Sequence, residues 1–327
     1  MNVTLLRTLL RKYGGWIAPL VGAALLFHAL RRRKVAAFAA LSVFPLLSVG
    51  FALLRPTARE MRVTFLDVGK GDSAVIETPS GRVIVIDTGD ATAKEGDQGE
   101  KVVAPYLRSR NIRRIDILIL THPHNDHISG AMALLKQFSV GQIVENGCGA
   151  DSKRMQRIRE EAEKRKIAIR CVAQGDTLDF GADAQACLVS PARDADFGTK
   201  ENAYSLVLRV AYRKTAFLFT GDANGDAEKA MLKTRQTLTC DVLKAGHHGH
   251  QSSTLPDFLA AVHPRVAIIS VDADNRAGMP HDATLKRLEK IGAKVYRTDK
   301  NGSVTCRTDG ATLQVTPERG NASVSGL

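Results

Sequence analysis

The sequence predicts a layered α/β domain preceded by an N-terminal membrane-anchoring helical hairpin. Three observations predict it: two uncharged apolar runs confined to residues 1–60, short β-branched runs alternating with helical segments from Met61 onward, and turn residues between those runs. With 327 residues, 44% hydrophobic and 24% charged, the chain is neither a disordered tail nor a disulfide-held mini-protein. The expected division is 1–60 for a membrane segment of one or two helices and 61–327 for the globular domain.

The apolar runs are Gly14 to Leu30, 17 residues, and Val35 to Leu54, 20 residues, separated by Arg31-Arg32-Arg33-Lys34. About 20 apolar residues cross a bilayer and about 17 is the lower limit, so the second run spans comfortably and the first only just. A cleaved signal peptide would show one apolar stretch ending at a small-residue site, whereas here a basic block and a second run follow. Residues 1 to 61 hold nine Lys/Arg against one acid, so the net charge of +12 falls to +4 over the remainder. The excess charge therefore flanks a membrane rather than forming one large nucleic-acid face. If the densest basic block stays cytoplasmic, the globular domain lies on the extracytoplasmic side.

From Met61 the elements follow in order. Arg62 to Leu66, Ser73 to Thr78 and Arg82 to Asp87 read as strands, the last two joined by a hairpin turn at Pro79-Ser80-Gly81. A helix near 100 leads to the apolar strand Ile115 to Leu120. Further strands are expected near 142, 169, 186, 204, 215, 241, 265, 294, 302 and 312. Helices are expected near 128, 153, 225, 255 and 283, and the tail from about Gly320 should be loose. The five cysteines are scattered and contain no CxxC pair, which excludes a thiolate zinc site; only Cys148, in Asn146-Gly147-Cys148-Gly149, could lie near a functional centre.

The chemistry concentrates at Thr121-His122-Pro123-His124-Asn125-Asp126-His127, which closes the apolar strand. With nine histidines in the chain, such a cluster arises by chance in fewer than about one in a thousand chains of this kind. If strand geometry persists, His122 and His124 point to the same side. Asp126 and His127 follow as the chain turns into a helix. Imidazole and carboxylate donors suit zinc, iron or manganese, and two ions about 3.5–4 Å apart can clamp both sides of a hydrolytic displacement.

This loop resembles the HxHxDH hallmark of the metallo-β-lactamase superfamily, and the chain from about 61 to 320 resembles most closely its ComEC-type hydrolase domains of bacterial DNA uptake. Asp67-Val68-Gly69-Lys70-Gly71-Asp72-Ser73 is similar to the DVGQGDS opening, with Lys for Gln. Ile86-Asp87-Thr88-Gly89 and Thr220-Gly221-Asp222-Ala223 resemble the first and fourth superfamily motifs. Leu243-Lys244-Ala245-Gly246-His247-His248-Gly249 resembles LKVGHHG, and Asn275-Arg276-Ala277-Gly278-Met279-Pro280-His281 resembles NRYGHPH.

The resemblance implies an αββα sandwich and two divalent ions, zinc or manganese. It places His122 and His124 on the first metal, Asp126, His127 and His247 on the second, and Asp222 between them. His247 is preferred to its neighbour His248, which joins Asn202, Ser205 and Ser253 as a substrate contact. Asp67, Asp72 and Asp87 are expected to support the site. Asp126 would orient or deprotonate the water, Lys244 would contact a phosphate, unless it snorkels from its strand end, and His281 would protonate the leaving group or simply start a helix. Where many members carry a third histidine for the first metal, this chain has Asn202, so that site is expected to bind weakly and to fill when phosphate is present.

The implied function is that of a membrane-anchored phosphodiesterase or nuclease acting on DNA through a metal-activated hydroxide. Its partners would be DNA or a small phosphodiester and the membrane. Two helices cannot form a conduit, so the hydrolase would work alone or beside a separate channel protein. The alternatives are a hydrolase of an acyl substrate, lactam or thioester, and a non-catalytic, metal-stabilised DNA-binding protein.

Overall fold

The computed structural model describes residues 60–274 and 278–320, with isolated positions 24, 27, 28 and 324–325. The chain divides into the units Met1–Ala58 and Arg59–Leu327. The two apolar runs of the expected anchor, and Asn275, Arg276 and Ala277 of the last motif, lie outside the described residues. Among the described residues no helix is long and apolar enough to cross a membrane.

The second unit opens with β1 (Met61–Phe65), β2 (Ala74–Glu77) and β3 (Val83–Ile86), an antiparallel run whose β2–β3 turn is closed by the Thr78 N–H on the Arg82 carbonyl at 2.9 Å. Helix α1 (Ala104–Ser109) then leads to β4 (Arg114–Ile119), parallel to β3. The short α2 (Asn125–Ile128) and α3 (Ala131–Gln137) precede β5 (Ser139–Glu145), and α4 (Lys153–Lys164) precedes β6 (Ala168–Cys171). The second sheet is built from β7 (Thr177–Asp179), β8 (Ala184–Ser190), β9 (Val207–Tyr212), β10 (Thr215–Phe219), β11 (Val242–Lys244), β12 (Val266–Ile269) and β13 (Lys294–Arg297). Helices α5 (Gly225–Leu232), α6 (Pro256–Val262) and α7 (Asp282–Lys290) connect its parallel half. The chain returns to the first sheet through β14 (Val304–Thr308), β15 (Leu313–Pro317) and β16 (Val324–Ser325).

The sheet orders are β16-β15-β14-β1-β2-β3-β4-β5-β6 and β13-β12-β11-β10-β9-β8-β7. Strand periodicity decides which residues fill which layer. Met61, Val63, Phe65, Ile84, Ile86, Ile117 and Ile119 of the first sheet meet Leu208, Val210, Phe217, Phe219, Val242 and Ile268 of the second in one core between the sheets. Residues of opposite parity, Val75, Val85 and Leu118, pack outward on α1, α3 and α4. On the other side Leu218, Leu243, Ala267 and Ile269 pack on α5, α6 and α7. The domain is therefore the expected αββα sandwich.

Three expectations shift. The tail expected to be loose from about Gly320 pairs with β15 at Val324–Ser325. The strand expected near 204 begins at Val207, because Glu201–Tyr204 forms a 3-10 turn ahead of it. The short edge strand Thr177–Asp179, bounded by Gly175 and Gly181, was not foreseen; three residues offer too little alternation to read.

Candidate metal centre and active site

The histidine loop leaves β4 at Leu120 and is held from below by the segment after β3. The Asp87 carboxylate accepts from the Thr121 N–H at 2.8 Å, from the Thr121 hydroxyl at 2.7 Å and bonds His127 Nδ1 at 2.8 Å. The His127 carbonyl accepts from the Thr88 N–H at 2.7 Å and the Thr88 hydroxyl at 2.9 Å. The Asp67–Ser73 turn runs beside the same loop, with the Asp72 N–H donating to the Asp126 carbonyl at 3.1 Å. Gly71 makes that approach feasible: its φ is +108°, and a Cβ there would lie 1.8 Å from the Asp126 carbonyl oxygen.

Asp222 follows β10 at a turn whose amide N–H reaches the Ser205 hydroxyl at 3.2 Å. His247 and His248 follow β11 with positive φ of 49° and 52°, a left-handed turn that sends adjacent rings to different places. Nδ1 bonds orient three of the imidazoles: His122 to the Thr121 hydroxyl at 3.1 Å, His127 to Asp87, and His248 to the Ser270 carbonyl at 3.1 Å. Their Nε2 atoms are buried without a hydrogen-bond partner and converge on Asp222.

Each carboxylate oxygen of Asp222 faces its own set. His127 Nε2 lies 3.3 Å and His248 Nε2 3.5 Å from Oδ1; His122 Nε2 lies 3.9 Å and His247 Nε2 3.8 Å from Oδ2. Asp126 Oδ2 stands 3.6 Å from His248 Nε2, completing the first set. Donors bound to one tetrahedral ion at about 2.0–2.2 Å are separated by roughly 3.3–3.6 Å. The first set meets that spacing with orphaned, buried nitrogens fixed by their other ring nitrogens, and so fits a metal; the second set is looser, and His247 Nε2 is shared with Asn202.

Charge balance supports this. Burial pushes the His127 and His248 imidazoles down, but Asp222 leads the carboxylates that outweigh it and hold both well above the ordinary range. Burial also pushes the Asp222 carboxyl up, yet His248 and His127 hold it well below its usual value. His122 is pushed well down by burial and by the neighbouring His127, which keeps it a neutral donor. A divalent ion exchanges for the protons that these groups otherwise share.

Several expected residues stand elsewhere than foreseen. His248, not His247, joins Asp126 and His127, while His247 faces the His122 side and touches Asn202 Nδ2 at 3.3 Å. His124 turns away from the clusters to Glu201, Nε2 to Oε2 at 2.9 Å, although its ring stays 4.6 Å from that of His122. Lys244 has the parity of Val242, so it points between the sheets. It is 4% exposed, pairs with Asp72 at 2.6 Å and is absent from the cleft lining. Asp72 is thus inside the site, with His248 Nδ1 at 3.4 Å, whereas Asp67 pairs with Arg319 and only borders it. Ser205 positions Asp222 rather than facing the cleft, and Ser253 is fully buried. His281 occupies the position before α7, accepts the Gln251 N–H on Nδ1 at 3.1 Å and is absent from the cleft lining. Cys148 is tied to Asn146 and lies outside the donor clusters.

Sequence reading missed three supports. Asn146 donates to the Thr121 and Tyr204 carbonyls at 3.2 and 2.8 Å, Ser270 orients His248, and Glu201 holds His124. Each acts across a large separation along the chain, and none carries a local pattern.

The cleft above the Asp126 and His248 side has a volume of about 760 Å³. Lys70, Thr92, Lys94, Glu95, Asp272 and Met279 form its walls. A family profile described as "Metallo-beta-lactamase superfamily" matches residues 66–153. Over 260 residues the chain is 34% identical to ComE operon protein 3 of Bacillus subtilis, covering 76% of this chain and 33% of that protein. It is 32% identical to competence protein ComA of Neisseria gonorrhoeae over 263 residues, covering 79% and 34%.

The chain carries a metallo-β-lactamase domain. Over most of its length it is related to competence proteins, and it spans about a third of the length of those relatives. Among solved structures, CmlA, a diiron β-hydroxylase from Streptomyces venezuelae, shares the fold with a TM-score of 0.51 at 14% identity, covering 76% of this chain and 54% of that one.

Proposed function

We propose that this domain is a metal-dependent phosphodiesterase whose substrate is DNA, tethered by the N-terminal apolar segment. The observation that carries the reading is the convergence of four imidazole nitrogens on the two oxygens of one buried carboxylate, with Asp126 and His248 of that group lining a cleft large enough for nucleotides. Asp126, His127 and His248 would hold one divalent ion, His122 and His247 the other, and Asp222 would bridge them. Such ions lower the pKa of bound water and neutralise charge on the attacked group.

The remaining work falls to the chain's own residues. Asp126, partly open to the cleft, accepts a hydrogen bond from the attacking water and aims it. Asp87, Thr121 and Ser270 fix the imidazole faces so that no donor has to reorient during the reaction. Lys70 and Lys94 at the cleft wall offer point charges to phosphate oxygens; their present partners, Asp90 at 3.6 Å and Asp274 at 3.9 Å, are loosely held. Likeness to competence proteins supports a nucleic-acid phosphodiester over an acyl substrate.

The test uses the full chain with manganese or zinc, offering fluorescent single- and double-stranded DNA beside bis-p-nitrophenyl phosphate. A thioester and a lactam are offered in parallel. DNA cleavage abolished by Asp126→Ala supports the reading; no cleavage of DNA by the metal-loaded chain, with or without hydrolysis of the thioester or lactam, overturns it.

A further inference from the structure

A second concavity, about 420 Å³, lies beside the histidine loop and is separate from the cleft. It has its own electrostatics. Helix α4, 12 residues long, begins here: Ser152 caps it by accepting the Met155 N–H at 3.3 Å, and the first amides, those of Lys153 and Arg154, have no acceptor among the described residues. A helix start of this kind favours an anion.

Three cations line the same groove. Lys153 and Arg157 are exposed and, among the described residues, have no carboxylate partner; Arg154 spends only its Nε, on Asn125 Oδ1 at 3.0 Å. An independent observation points to a ligand: Ser129, 2% exposed, lines the groove with a hydroxyl that has no partner. The one acid on the lining, Asp97, accepts the Glu100 N–H at 3.2 Å and so is turned toward its own helix start.

The position explains what such a groove could serve. Asn125 lines it, and the next residue, Asp126, lines the cleft. The groove and the cleft thus adjoin at consecutive residues, so that one strand can meet both places. Three cations and a helix start also exceed what one small anion requires.

We propose that this groove binds backbone phosphates of a nucleic-acid strand, holding the strand whose neighbouring phosphodiester lies at Asp126. Naming DNA rests on the function proposed above; strand binding by the groove does not require cleavage.

The test measures binding of a fluorescent single-stranded oligonucleotide by anisotropy, in the full chain carrying Asp126→Ala to prevent turnover, across a salt titration. Lys153→Glu/Arg157→Glu removes two phosphate contacts, so affinity should fall at least about tenfold at low salt and the log–log salt slope by roughly 1.4. Both side chains are exposed on α4, so replacing them should leave the domain folded, and Lys153→Gln/Arg157→Gln is a second version that adds no acidic pair. Affinity and slope within about twofold of the parent in both variants would overturn the groove. Inorganic phosphate, followed by phosphorus NMR, separates the sources. Phosphate binding lost in the variants while oligonucleotide affinity persists would mark a free-phosphate site and also overturn the proposal. Cleavage is read separately in chains with Asp126 intact. If DNA is never cut but the variants still lose affinity, the nuclease reading fails and the groove stands.

Discussion

Replacing Lys244 by methionine separates a structural lysine from a substrate-binding one. In the structure its ammonium sits between the sheets, 2.6 Å from Asp72, with exposures of 4% and 8% for the two side chains. Burial pushes the Asp72 carboxyl up, but Lys244 and then His248 outweigh it and hold the group at about 2. That depression from 3.8 corresponds to roughly 2–3 kcal/mol of stability, present above the unfolded value and lost as pH falls toward 2. Lys244→Met leaves a buried carboxylate with only imidazole neighbours and should cost about 3 kcal/mol at neutral pH. Asp72→Asn should cost a similar amount, because it leaves the ammonium unpaired. The double variant Lys244→Met/Asp72→Asn should recover much of the loss, since neither charge is then stranded. Urea unfolding of the four proteins at pH 7, analysed as a double-mutant cycle, measures the coupling. The reasoning is refuted if Lys244→Met leaves stability within about 0.5 kcal/mol of the parent and instead raises KM for a phosphodiester.

Three further outcomes follow from the geometry. Gly71→Ala places a methyl group 1.8 Å from the Asp126 carbonyl oxygen, so the loop must move by more than 1 Å; kcat should fall about a hundredfold with bound metal retained, and an unaffected kcat argues against that contact. Glu228, 2% exposed, is pushed by burial to about 7 while accepting the Thr254 and Leu255 N–H groups. Its folded pKa exceeds the unfolded 4.5, so its contribution is fully present below about pH 4.5 and lost as pH rises through about 7, by roughly 3 kcal/mol; Glu228→Gln should flatten that part of the Tm profile, and an identical profile in the variant counts against it. Glu201→Ala releases His124 to join His122, so calorimetry should show tighter binding at the weaker of two manganese sites; weaker binding at that site would mean that Glu201 is itself a ligand.

How much could be read from the chain alone depended on whether a signal was local. The strand runs and the histidine loop were legible because side-chain period and metal-donor spacing are properties of adjacent residues. Asp87 was legible through its motif, and it does hold the loop, at three atoms. The choice between His247 and His248 was not, because it turns on a left-handed pair of residues that Gly246 and Gly249 only bracket. The burial of Lys244 was legible in its own strand: Val242 faces the inter-sheet core, so the residue two further on faces it too. Glu201 lies 77 residues from the histidine it engages, a pairing that only the fold creates.

The donors come from both layers of the sandwich: His122, Asp126 and His127 follow the first sheet, and Asp222, His247 and His248 follow the second. An ion gripped by both sets would act as a rivet. A chain synthesised only as far as β5 carries the histidine loop but no Asp222, so it holds half a chelate. Tight metal uptake should therefore begin only after the second sheet has docked, making the ion a timer for completed assembly as well as a reagent. Chelation should correspondingly lower the resistance of the inter-sheet core to unfolding, by about 2.7 kcal/mol when the free ion had stood at a hundred times its dissociation constant.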